Sequence, residues 1–148
     1  MAIVFTELKF LFDAKTEKMV EHRLEYDDTN PDDAAAIAAW RVEQAKRDAD
    51  HVARINSELV EGKKEALFTE ALSRIQSFLP DVDTFVEAKA FAISFPALSN
   101  PTPEMVSAEA CVTNVKNRLN WLKNADLTDP TVVTQIENYD PATDLNWP

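Results

Sequence analysis

Residues 30–80 read NPDDAAAIAAWRVEQAKRDADHVARINSELVEGKKEALFTEALSRIQSFLP, and the fold turns on that stretch. Between Pro31 and Pro80 there is no proline and one glycine, Gly62, the only glycine of the chain. Alanine, glutamate, lysine, arginine and leucine dominate it, the residues that lose least on entering a helix. Asn30-Pro31-Asp32-Asp33 reads as a helix start. Asn30 can accept from free backbone N–H groups, proline suits the first turn, and the aspartates favour the positive end of the helix dipole. The expectation is one long helix over about 31–79, or two consecutive ones meeting near Gly62, with the rest of the chain packed on it.

Ala38, Val42, Ala45, Ala49, Val52, Asn56 and Leu59 recur at alternating four- and three-residue spacing. Such a seam of small residues with one polar member resembles a coiled-coil stripe, and Asn56 could fix its register. It either mediates self-association or packs on another helix of the same chain. A heavier stripe follows: Phe68, Ala71, Leu72, Ile75, Phe78 and Leu79. Trp40 lies off the first seam, as an interface residue or as cover for the N-terminal strands.

Upstream, Leu8, Phe10 and Phe12 alternate with Lys9, Leu11 and Asp13, and Val20, His22, Leu24 and Tyr26 with Glu21, Arg23 and Glu25. Period two marks half-buried strands, and the polar Asp13–Lys18 link makes an antiparallel β-hairpin over about 3–26. His22 falls on the apolar side and is expected in the core. A lone two-stranded hairpin is marginal in water, so its apolar face must meet the helices or a sheet from another chain.

Downstream, Thr84 with Glu87 resembles a capping box, and Phe85, Ala88, Ala92 and Phe95 share a helical face. Helix over 81–95 is favoured, although Phe91, Ile93 and Phe95 also alternate. Thr102-Pro103 opens a helix to about Asn124 with the stripe Ala108, Cys111, Val112, Val115, Leu119 and Leu122. Asp129-Pro130 opens a short one to Asn138. Residues 139–148 read as an extended acidic tail in which Tyr139, Leu145 and Trp147 are candidate anchors, on a neighbour or on the chain itself. The fold class is therefore mainly α: one domain over 1–138, with a long central helix, further helices, an N-terminal hairpin and this tail.

The 148 residues are enough for one domain with a real core, and no apolar run approaches a membrane span. The net charge is −11, from 26 acidic and 15 basic residues, and after Lys123 there are five acids and no base. Phosphate and anionic-membrane binding need the opposite sign, so neither nucleic-acid nor membrane binding is expected. A single cysteine excludes an internal disulfide, and a cytoplasmic setting, in a host cell or a virion if viral, is the default.

Chemistry is sparse. One glycine cannot build a phosphate-cradling loop. Cys111 sits mid-stripe, where free cysteine packs as a small hydrophobe. His22 and His51 lack metal-ligand spacing, and Asp27, Asp28, Asp32 and Asp33 lack that of a calcium loop. No catalytic residue, cofactor or metal is expected. The remaining candidates are interaction residues: Trp40, Asn56, Tyr139, Leu145 and Trp147. The expected role is a non-enzymatic assembly protein acting on its own copies or a protein partner, of the kind found in phage-like particles. The alternatives are an acidic DNA-mimic inhibitor and an assembly chaperone for one client.

Overall fold

A computed structural model describes residues 2–148. It is mainly helical, at 64% of the chain. Strands β1 (Ile3–Asp13) and β2 (Lys18–Asp27) form an antiparallel hairpin, followed by helices α1 (Ala34–Phe78), α2 (Phe85–Ser94), α3 (Pro103–Lys123) and α4 (Pro130–Asn138). Short 3-10 turns lie at Pro31–Asp33, Phe95–Ala97 and Pro141–Thr143. The chain divides into two compact units, Met1–His51 and Val52–Pro148.

Residues 91–94 are helical, not extended. Gly62 lies inside α1, which neither stops nor changes type there. A Cβ built on it meets nothing within 4 Å, so glycine answers no steric need at that point.

Capping chemistry sets the helix starts. Asn30 accepts from the N–H of Asp32, Thr84 from Glu87, Thr102 from Met105 and Asp129 from Thr131. The Glu87 carboxylate reaches back to the N–H of Asp83 at 2.8 Å, which completes a box one residue ahead of the cap. The Asx-Pro pair occurs four times, and Asp140-Pro141 is the third that opens a helical turn, Asn100-Pro101 opening none. Asp140 accepts from Ala142 and starts the turn Pro141–Thr143 inside the segment read from sequence as extended.

In the first unit the strands pair Thr6 with Glu25, Leu8 with Arg23, Phe10 with Glu21 and Phe12 with Met19. Directly opposed residues share a face. One face therefore carries Leu8, Phe10, Phe12 and Met19. The other carries Phe5, Leu11, Val20, His22, Leu24 and Tyr26. The two alternating apolar sets thus fall on opposite faces instead of adding to one. At the hairpin base, Phe5 stacks between Tyr26 (4.3 Å) and Trp40 of α1 (5.1 Å). Ile37 is buried beside them in sequence. Asp33 accepts from the N–H of Asp27 at 3.0 Å and ties the end of β2 to the start of the helix. In the link, Glu17 takes a left-handed φ of 52°, a conformation that glycine or asparagine adopts more cheaply.

The second unit holds the main core. Leu67, Ala71 and Ile75 of α1, Ala88 of α2, and Ala108, Cys111, Val112 and Val115 of α3 are buried together with Trp147. A smaller cluster joins Val60, Leu122 and Ile136. Each large aliphatic side chain so covered contributes about 1.5–3 kcal/mol. Lys63, adjacent to Gly62, serves a helix end, though not that of its own helix. Its Nζ donates to the carbonyls of Glu137 (2.9 Å) and Tyr139 (2.6 Å), the negative end of α4.

Candidate interaction surfaces

The C-terminal segment folds back on its own unit. Asp144, whose side chain is fully covered, accepts two hydrogen bonds from Arg118, Nε at 2.6 Å and Nη2 at 2.8 Å. The same carboxylate takes the Tyr139 hydroxyl at 3.0 Å and the backbone N–H and side-chain amide of Asn146. Burial pushes the Asp144 carboxyl upward. The hydrogen bonds from Arg118, Asn146 and Tyr139 outweigh it and hold the group well below the usual carboxylate range. Burial, then the bond to Asp144, pushes the Tyr139 phenol upward. Arg118 also lies over the rings of Tyr139 (5.2 Å) and Trp121 (5.9 Å). Trp147 donates Nε1–H to the Pro141 carbonyl at 2.7 Å and lies under Arg74. Arg74 and Arg118 thus hold the segment through Trp147, Tyr139 and Asp144.

Tyr139 and Trp147 are thus spent within the unit, whereas Leu145 between them is 96% exposed. Asn56 donates to the carbonyl of Leu127 at 3.2 Å. Trp40 covers the hairpin base. The five residues singled out from sequence therefore serve four different places. The clamp was not visible in the sequence, because Arg118 and Asp144 are 26 residues apart and only tertiary folding brings them together.

The acids after Lys123 are largely occupied. Asp126 accepts from Thr128, Asp129 from Thr131, Asp140 from Ala142 and Asp144 from Arg118. Cys111 is fully buried, and burial pushes its thiol up to about 11 against a smaller opposing pull from Arg74. Among the described residues no group of three His, Cys, Asp or Glu side chains is placed to hold a metal ion.

Three surfaces stay open. A groove of about 410 Å³ on the second unit is lined by Phe68, Phe85, Val86, Val112 and Leu119, with Lys89 and Lys116 among its residues. On α1, Ala38, Val42, Ala45, Ala49 and Val52, the first part of the small-residue seam, are exposed. The third is the outer hairpin. Leu8 (54%), Phe10 (61%), Leu11 (52%), Phe12 (65%) and Met19 (60%) face solvent, and His22, expected in the core, is exposed with them. Within the first unit α1 meets the hairpin at its base through Trp40, and these apolar positions lie outside that contact.

No helix among the described residues is long and apolar enough to cross a membrane. Compared with known proteins, the chain matches no family model, no curated protein and no solved structure.

Proposed function

We propose that the chain is a non-enzymatic structural or assembly protein that acts through protein–protein contacts, as a subunit or connector of a larger assembly. The observation that carries this reading is the outer hairpin, which holds five large apolar side chains more than half exposed, spread over both of its faces. Large contiguous apolar surface on a folded chain marks an interaction site. A two-stranded hairpin also gains independent stability only when a further strand or another surface covers it. The occupied carboxylates of the C-terminal third weigh against the DNA-mimic alternative. That role needs rows of free acids, and these acids cap helices, close turns and hold Arg118.

The test compares the full chain with a Phe10→Ser/Phe12→Ser variant. Both rings are more than 60% exposed, so the variant keeps the fold, checked by circular dichroism. Light scattering across a concentration series and affinity capture from the native source are run on both. The expected result is an oligomer, or a defined protein partner, that the variant loses. A chain that is monomeric throughout and captures nothing the variant does not capture overturns the proposal.

A further inference from the structure

The hairpin sheet has two strands, so each strand keeps one edge of unpaired backbone N–H and C=O groups. The two edges differ in character. β2 carries five charges in ten residues: Lys18, Glu21, Arg23, Glu25 and Asp27. β1 carries Glu7, Lys9 and the terminal Asp13, with no proline and seven apolar residues among eleven. Charge blunts an edge and apolar length opens it, so β1 is the edge suited to accept another strand. Trp40 meets the hairpin through the ring face of Phe5, and Thr6 and all of Leu8–Phe12 are exposed.

We infer, building on the assembly reading, that β1 pairs antiparallel with β1 of a second copy about Leu8, giving the four-stranded order β2–β1–β1–β2. Charge complementarity selects the occupant, and charge together with the length of strand paired selects the register. A two-fold axis normal to the sheet keeps like faces together, so the pairing must centre on a residue. Centred on Leu8, each Glu7 faces Lys9 of the other copy, Thr6 faces Phe10, and Phe5 faces Leu11. Centring on Glu7 or Lys9 sets like charges directly opposite, and centring on Phe10 sets Glu7 against Asp13; centring on Leu11 also opposes Lys9 and Asp13, but it pairs only residues 9–13 of the strand. Opposed opposite charges stabilise a sheet and like charges destabilise it. Leu8 is also the midpoint of β1, so this register opposes the whole length of the strand. The dimer also brings Leu8, Phe10, Phe12 and Met19 of both copies onto one face, flanked by Glu21, Arg23 and Glu25 of β2.

The test is a charge exchange in the full chain. Glu7 and Lys9 are 44% and 49% exposed in their side chains, and because Glu7 also accepts from the Tyr26 hydroxyl at 3.0 Å, circular dichroism checks that each variant keeps the hairpin. Sedimentation equilibrium is run on the unsubstituted chain, Glu7→Lys, Lys9→Glu, the double variant, and an equimolar mixture of the two single variants. Each single variant should weaken dimerisation by about tenfold or more, since two cross-strand pairs turn repulsive. The double variant and the mixture should restore it. Leu8→Cys should form a disulfide-linked dimer on oxidation. Association indifferent to all these changes overturns the β1 pairing and leaves the assembly reading intact. An unsubstituted chain that stays monomeric also overturns it, and the assembly reading is then judged by partner capture alone.

Discussion

Replacing Asp144 with asparagine isolates the clamp on the C-terminal segment. The substitution keeps the shape, removes the charge, and sets a donor among donors from Arg118, Asn146 and Tyr139. Breaking a buried ion pair by removing one partner costs about 3–5 kcal/mol. Because the Arg118 side chain remains 28% exposed and water can partly solvate it, the low end, about 3 kcal/mol, applies here. The sign with pH follows from the depressed carboxyl. Its stabilisation is complete above the unfolded value, near 3.9, and is lost as pH falls from there toward the lower folded value. The gap between parent and Asp144→Asn should therefore be constant from pH 7 to about 5 and close below about 4. Urea unfolding in a Trp40→Phe background reads this directly, because the remaining tryptophans, Trp121 and Trp147, both flank the clamp. A gap under about 0.5 kcal/mol at pH 7, the range of ordinary surface substitutions, would refute the reasoning, as would a gap that stays constant down to pH 2.

Gly62→Ala should stabilise the chain by about 1 kcal/mol in urea unfolding, since helix propensity favours alanine and the new methyl meets no neighbour. Cys111, with its thiol raised from 9.0 to about 11, should react with a disulfide reagent at pH 8 roughly a hundredfold slower in the native state than in urea. Equal rates would mean that the α3 stripe opens readily.

Much of the fold was legible because it rests on local rules. The proline-free run, the Asx-Pro and Thr-Pro starts and the α3 stripe each depend on residues within a turn or two, and α3 and α4 began where those signals put them. Gly62 left open in the sequence whether the long helix breaks. A propensity cost of about 1 kcal/mol is small beside the packing of Leu67, Ala71 and Ile75 downstream, so α1 runs through it. Asp140-Pro141 follows the same rule as Asn30-Pro31 and Asp129-Pro130, yet the acidic run around it obscured it. Of the candidate surfaces the sequence offered the seam and the tail, and the hairpin only as something requiring cover.

The sequence by itself determined the elements, their order and most of the helical faces, because propensity, capping and periodicity act over a few residues. Tertiary structure alone decided which apolar faces are used. Cross-strand register put the two hairpin stripes on opposite faces. Long-range pairing of Arg118 with Asp144 turned an acidic tail into a clamped segment. Local patterns state that a face is apolar; what covers it depends on residues far away in sequence, and those meet only when the chain folds.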